Sequence, residues 1–312
     1  MFIYSYSGRG FPDLAARYAE TQGLAPTHLV SLYDLHHHLL DEGTQGVSGP
    51  QARGRFLDSG NYEVARFADT LEGEAPPGQL PWSAELYVAS AKAHAREGDV
   101  LVSLDDRSLP VEDQIKQARA LFRRIGLPGV KQDLLLHPNG TDPEALASII
   151  ASHAPQVEIV GLTEKDIGIP WFLAVAYLRG LRRALNTALG RYVLIHVFGC
   201  LDPRTLPYLF LSGADMFDGL AWMRYYFHKG HAYYAKEFEY EASPEELLDP
   251  AKATWALLQH NVAELEQLRS DLQYFVLTGD YTQLQACLED LCAMEEVSVD
   301  APPSATETDT RR

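Results

Sequence analysis

The chain has 312 residues, 46% of them hydrophobic, which is ample for a full core, and α/β barrels commonly reach about 250 residues as one unit. No apolar run approaches the roughly 20 residues of a membrane-spanning helix, so no transmembrane segment is expected. A net charge of −17 counts against an extensive nucleic-acid footprint, because such footprints usually carry a basic face.

Met1 to Tyr6 reads as a strand without a basic leader, and no signal peptide is expected. Residues 69–82, rich in Gly and Pro, read as a loop that could act as a lid. Val100 to Leu104 is a strand, followed by a polar break from Asp105 to Pro110 and a helix through about Arg124. Asp133 to His137 is the next strand, and Thr141-Asp142-Pro143 supplies a cap and a first-turn proline for a helix to about His153. Val157 to Leu162 and Tyr192 to Phe198 are strands separated by a long helix from about Pro170 to Leu189. Ala214 to Asp218 is a short strand after Gly213. Ser243-Pro244-Glu245-Glu246 is a capping box ahead of a strongly periodic helix over 251–275, and another helix covers about 281–294.

Strands alternating with helices imply parallel βαβ units, a pattern that an open doubly wound sheet also satisfies, and their number favours a closed barrel. The fold class expected is α/β, a (β/α)8 TIM-type barrel with additional C-terminal helices. It occupies residues 1–294 as one domain, with a disordered Ser/Thr/Pro/Asp-rich tail over 295–312. The three cysteines, Cys200, Cys287 and Cys292, form no CxxC pair, which fits a reducing, cytoplasmic setting.

In such barrels the reacting groups lie at the C-terminal ends of the strands. Those ends read as Asp58, Asp105, His137, Gly161, Phe198-Gly199 and Asp218. Carboxylates converging on one mouth raise each other's pKa, giving a proton-carrying acid beside an ionised neighbour. Cleavage of a glycosidic bond needs such a pair.

Here the wording becomes specific. Leu57-Asp58-Ser59-Gly60-Asn61-Tyr62-Glu63 resembles the Asp-Ser-Gly-Gly-aromatic-Gln signature of tRNA-guanine transglycosylases. Ala214-Asp215-Met216-Phe217-Asp218 resembles the family's Asp-Met-Phe-Asp segment, with Arg224 six residues after Asp218 as in the family. His196-Val197-Phe198-Gly199, Leu104-Asp105-Asp106, Ile159-Val160-Gly161-Leu162 and Gln259-His260-Asn261 are similar to further family blocks in the same order, so the resemblance spans about 1–285.

The resemblance implies a base-exchange transglycosylase that replaces guanine in a nucleic acid, tRNA or DNA, by a 7-deazaguanine-type base. Asp218 would attack the sugar carbon and form a covalent aspartyl-ribosyl intermediate, with Asp58 as general acid/base. Asp105 would hydrogen-bond the purine or 7-deazapurine base, the Gly161-Leu162 peptide and Gly199 would line the site, and Tyr62 with Phe198 would sandwich the ring. Arg224 would hold a phosphate or the nucleophile's loop. No cofactor and no catalytic metal are implied, and the family's dimers imply a homodimer.

The chain departs from the family at several points. Asn61 replaces a glycine, Glu63 a glutamine and Gly219 a cysteine, and Asn139 or His137 would have to stand in for a base-binding glutamine. The family's three-cysteine zinc site is absent, since residues 225–250 offer only His228 and His231. Two other functions fit parts of the sequence. A metal-dependent barrel hydrolase would use His36, His38, His137, His196 and Asp218, whose order resembles the amidohydrolase pattern, although no lysine or carboxylate suits the bridging position. A non-catalytic partner subunit of a transglycosylase would need neither Asp58 nor Asp218.

Overall fold

A computed structural model of the chain describes residues 1–6, 26–40, 54–68, 80–168, 170–240 and 249–300. The expected lid over 69–82, except its last residues, and the capping box at Ser243 lie outside the described residues, as do residues 301–312 of the expected tail.

Eight parallel strands close into a barrel in chain order: β1 (Phe2–Tyr6), β2 (Thr27–Ser31), β3 (Gly54–Asp58), β4 (Val100–Val102), β5 (Lys131–Leu136), β6 (Ile159–Thr163), β7 (Leu194–Phe198) and β8 (Met216–Gly219). Closure is made by β1 against β8, with Phe2 opposite Phe217 and Ile3 opposite Asp218. The architecture is therefore the (β/α)8 barrel that the alternating pattern implies.

Side chains on a strand alternate between faces, and here the alternation divides two cores. Leu57, Leu101, Leu134, Leu136, Val160, Leu162, Ile195, Val197 and Phe217 point outward and are buried under the helices. Ile3, Leu29, Phe56, Val102, Leu135, Ile159, Phe198 and Met216 fill the barrel interior. Burying an aliphatic or aromatic side chain of this size contributes roughly 1.5–3 kcal/mol, so each strand is held from both sides. The same parity carries polar residues inward toward the C-terminal end: Ser5 follows Ile3, Ser31 follows Leu29, Asp58 follows Phe56, and Asp218 follows Met216.

After β2 comes α1 (Leu32–His36), after β3 α2 (Asn61–Ala68) and α3 (Ala84–His94), after β4 α4 (Val111–Ile125), and after β5 α5 (Pro143–His153). Next, β6 is followed by α6 (Glu164–Ile167) and α7 (Trp171–Leu189), β7 by α8 (Leu206–Leu211), and β8 by α9 (Ala221–Arg224). In α4 the buried residues Val111, Ile115, Ala118, Leu121, Phe122 and Ile125 recur every three or four positions, which is one helical face. The Asp142 carboxylate caps α5 by accepting from the Ala145 N–H at 2.8 Å.

Beyond the barrel, β9 (Tyr225–His228) and β10 (His231–Tyr234) form an antiparallel hairpin that the sequence reading left unassigned. Then α10 (Pro250–Thr278) runs across the seam of the barrel, burying Leu258, Val262, Leu265 and Leu272, and the Tyr4 hydroxyl donates to Glu266 at 3.2 Å. The last helix, α11 (Gln285–Asp300), extends past the expected end at Met294 and meets α8 through the Tyr208 hydroxyl, which donates to Asp290 at 2.6 Å.

Candidate active site

At the C-terminal mouth, Asp58 ends β3 and Asp218 lies in β8, both directed inward by strand parity and both buried, with 9% and 6% exposure. The charges of Asp105 and Asp218 both reach Asp58. Burial first, then those two carboxylates, pushes Asp58 up to about 7, against partial relief from the Gly60 and Ser59 amides. Gly60, at φ +84°, makes the tight turn after β3; a Cβ there would lie 2.7 Å from the Tyr33 Cβ. Behind Asp58, burial and the neighbouring Asp34 and Asp58 push Glu63 well above the ordinary carboxyl range, and its Oε2 accepts from the Ser31 hydroxyl at 2.9 Å.

The two oxygens of Asp218 are each fixed. The Ser5 hydroxyl donates to Oδ2 at 2.6 Å, and the Gly199 N–H, presented by a left-handed turn at φ +82°, donates to Oδ1 at 2.9 Å. Below it, the His196 ring lies with Nε2 3.5 Å from Oδ1 and Nδ1 2.6 Å from Asp133 Oδ2. Asp133 and His196 are completely buried. Burial alone would lower the His196 pKa, but the Asp133 charge and hydrogen bond, with Asp218, outweigh it and raise it to about 9.

A second network crosses the mouth from β4 to β6. His137 directs Nε2 to Asp105 Oδ2 at 2.7 Å and Nδ1 to Asp166 Oδ2 at 2.5 Å. Its burial is again overcome by the two carboxylates, and its pKa rises to about 9, so at neutral pH the imidazolium donates to both. Burial works against the ionised form of Asp166, but hydrogen bonds from His137 and Thr163 and the charge of Arg107 hold its pKa down. The Arg107 guanidinium donates to Asp166 Oδ1 at 2.7 Å.

Several expected roles meet a different local geometry. Asp105 is already engaged, because Oδ1 accepts from the Ser59 hydroxyl at 2.9 Å and from Asn61 at 3.1 Å while Oδ2 faces His137. A base contacting it would have to share or displace those partners. Gly161 and Leu162 are not at a strand end. They lie within β6, which runs on to Thr163, opposite Leu135 and Leu136 on one side and His196 and Val197 on the other. The Leu162 side chain faces the helices, and the missing Cβ of Gly161 leaves the space that the Phe198 ring fills. Phe198 is 8% exposed and tilted against His196 with ring centroids 3.8 Å apart, turned into the barrel. Asn139 is exposed at φ +53°, and its amide donates to the Arg107 and Leu109 carbonyls at 3.1 and 3.2 Å, so it braces a loop, whereas His137 points into the mouth. Tyr62, 45% exposed, stands at the start of α2, and Arg224 is exposed at the end of α9.

Ser5, Asp133, His137 and Asp166 complete the site without having been assigned a definite role from sequence. Ser5 and Asp133 carry a legible signal, since each is a polar residue at an inward position of an apolar strand. Asp166 sits on a four-residue helix after β6 and gave none. Among the described residues, no group of three or more His, Cys, Asp or Glu side chains has the arrangement of a metal site. The histidines of the hydrolase pattern are scattered: His36 packs on His37 and Trp82, with centroids 4.8 and 5.8 Å away, while His38 is exposed and His196 is paired inside the barrel.

No protein-family model matches the sequence, and no curated protein matches it. No helix among the described residues is long and apolar enough to cross a membrane.

Proposed function

We propose that the chain is a base-exchange transglycosylase of the tRNA-guanine transglycosylase type, replacing a guanine in a nucleic acid by a 7-deazaguanine-type base. The observation that carries this reading is the pairing of two buried carboxylates in one mouth with divergent surroundings. Both Asp218 oxygens accept hydrogen bonds, which hold the carboxylate in one orientation, while Asp58 is pushed up to about 7, where it can give and take a proton.

In the first half-reaction an Asp218 oxygen attacks C1′ as the glycosidic bond breaks. The electron pair leaves with the purine, and Asp58 supplies the proton. In the second half, ionised Asp58 takes a proton from the incoming base, whose nitrogen attacks C1′ and returns the electron pair to Asp218. Both N–H groups of His137 are engaged by Asp105 and Asp166, so His137 acts on a base indirectly, by fixing the Asp105 carboxylate.

The polymer is supported by a local departure from the overall charge. Residues 219–236 contain Arg224, Lys229 and Lys236 and no Asp or Glu in a chain of net charge −17. This stretch begins at the end of β8, beside the nucleophile, and exposes Tyr225, Tyr233 and Tyr234 on the hairpin. Cations for phosphates and aromatic faces for unstacked bases are what a nucleic-acid strand with an extruded nucleotide requires.

The test is to incubate the protein with labelled guanine or a labelled 7-deazaguanine and, separately, tRNA, total RNA and duplex DNA. The reading expects label in RNA or in DNA, lost in Asp218→Ala, with label in both tRNA and total RNA if tRNA is the substrate. Label in none, or label unaffected by Asp218→Ala, would refute it, the latter in favour of a contaminating or partner activity.

A further inference from the structure

The closed interior of a (β/α)8 barrel is ordinarily filled with branched aliphatic side chains. Here β5 and β7 place Asp133 and His196 in it, both wholly buried, among Phe56, Phe198 and Met216. Isolated buried charges are strongly unfavourable, and a buried pair is weak evidence for stability, since apolar residues of similar volume commonly do as well. The pair is also incompletely satisfied: Asp133 Oδ1 and His196 Nε2 have no hydrogen-bond partner. The unbonded Nε2 is the atom that faces Asp218, at 3.5 Å. The arrangement runs in one line, from the Asp133 carboxylate through the imidazole to the carboxylate proposed as nucleophile.

Resting on the base-exchange reading, we propose that His196, clamped by Asp133, is a positioning residue for Asp218. It supplies the buried positive charge that keeps Asp218 oriented for attack and stabilises it as the leaving carboxylate in the second half-reaction. His196 exchanges no proton in either half. The bond made and broken is C1′–Oδ of Asp218, and the proton traffic stays with Asp58 and the two bases. The titratable groups facing the imidazole are Asp133 from β5 and Asp218 from β8. The walls contributed by β3, β6 and its own strand are Phe56, Gly161 and Phe198, which bring no charge.

Gly161 is part of the same construction. A Cβ at that position would lie 2.5 Å from the Phe198 ring and 2.8 Å from Asp133 Oδ1. The glycine therefore leaves room for both the clamp and the ring that covers the imidazole.

Two measurements test this. The first is independent of activity: the imidazole of His196 is followed by nitrogen-15 NMR in the wild type, in Asp133→Asn and in Asp218→Asn. The proposal expects titration near 9 in the wild type and a fall of about one unit or more in each variant, because each loses one of the two carboxylates that raise it. An unchanged titration in Asp218→Asn overturns the pairing. The second is the kinetics of His196→Gln, which keeps a donor and removes the charge, and of Asp133→Asn. The expected result is a loss of about 100-fold in kcat with KM nearly unchanged for His196→Gln. For Asp133→Asn, kcat should fall in the same direction, again with KM nearly unchanged. A folded His196→Gln with wild-type kcat overturns the proposal while leaving base exchange intact. Absence of exchange by the wild type itself refutes the base-exchange reading instead, and the NMR comparison then decides the His196–Asp218 pairing alone.

Discussion

At the scale of single residues, the site turns on where charge is permitted to sit. Asp58 is an acid whose pKa is raised in the folded protein from 3.8 to about 7, so the folded state binds its proton more tightly than the unfolded chain does. The sign follows: this group's contribution to stability is present below about 3.8 and is lost as the pH rises through about 7. Asp58→Asn, which removes the buried charge and keeps the shape, is expected to abolish exchange and to raise stability at pH 8 by roughly 1–3 kcal/mol. Denaturant unfolding of both proteins at pH 5 and pH 8 checks this, and equal stabilities at pH 8 would mean that Asp58 is not held in a proton-binding environment. His137 and His196 act in the same direction over a later window, because their folded pKa values of about 9 exceed the ordinary 6.5. Their stabilisation is full below 6.5 and fades toward 9, so thermal stability should decline between pH 6.5 and 9 more steeply in the wild type than in His196→Gln.

At the same scale, the sequence made the two central aspartates legible because each belongs to a short, specific run of residues, Asp58-Ser59-Gly60 and Asp215-Met216-Phe217-Asp218. The Asp133–His196 clamp was not legible. Asp133 stands out as a polar residue in an apolar strand, but its partner does not follow from that, and only the barrel register, which sets Leu135 opposite Gly161 and Gly161 opposite His196, brings β5 and β7 to either side of the same glycine. Of Asn139 and His137, the two candidates for the missing glutamine, Asn139 is turned outward. Its left-handed turn swings the amide away from the mouth toward the Arg107–Leu109 carbonyls, and backbone handedness at one Asn is not readable from composition.

At the scale of elements, β6 is the strand on which the interior depends. Gly161→Ala forces either the Phe198 ring or the Asp133 carboxylate to move, and overpacking of this kind costs about 1–3 kcal/mol. A lowered melting temperature together with a shifted His196 titration is expected; a melting temperature equal to the wild type would mean that the interior accommodates a methyl group without adjustment. The hairpin of β9 and β10 depends on α10 in a comparable way. Asn261, fully buried, donates to the Trp222 and Tyr225 carbonyls at 2.8 and 2.6 Å and accepts from the Phe227 N–H at 2.8 Å. Asn261→Ala leaves three backbone groups without their partner, so a loss of at least about 2 kcal/mol in thermal or denaturant unfolding is expected. The periodicity of 251–275 announced the helix but not this task, because a single polar residue on an apolar face specifies no partner. The hairpin itself went unassigned because Tyr, His and Ala alternate there without an apolar–polar contrast. Its buried Tyr226 packs on Phe238 and Leu257, contacts distant in sequence.

At the scale of the whole molecule, alternation of strands and helices gave parallel βαβ units, which an open doubly wound sheet satisfies as well, and the pairing of β1 with β8 is what closes the barrel. The short β2, Thr27–Ser31, is the early strand ahead of the His36 and His38 pair, and its bounds are hard to read because α1 follows directly. The charge of −17 sets the remaining expectation. If binding of the polymer relies on the acid-free stretch with Arg224, Lys229 and Lys236, few phosphates are neutralised. The logarithm of affinity should then fall with the logarithm of salt concentration with a slope no steeper than about −3. Fluorescence anisotropy with a labelled strand across a salt series measures it, and a slope several times steeper would place the contact on a more basic surface elsewhere.

The central claim is a covalent bond between the sugar and one carboxylate, and mass spectrometry can look for that bond. The protein is incubated with the polymer that accepts label, quenched in acid, digested and sequenced by fragmentation. A glycosyl adduct on Asp218, absent from Asp218→Asn, is the result expected from a nucleophile held by Ser5 and Gly199. Base exchange proceeding with no adduct on Asp218, or with the adduct on another side chain, would contradict the account.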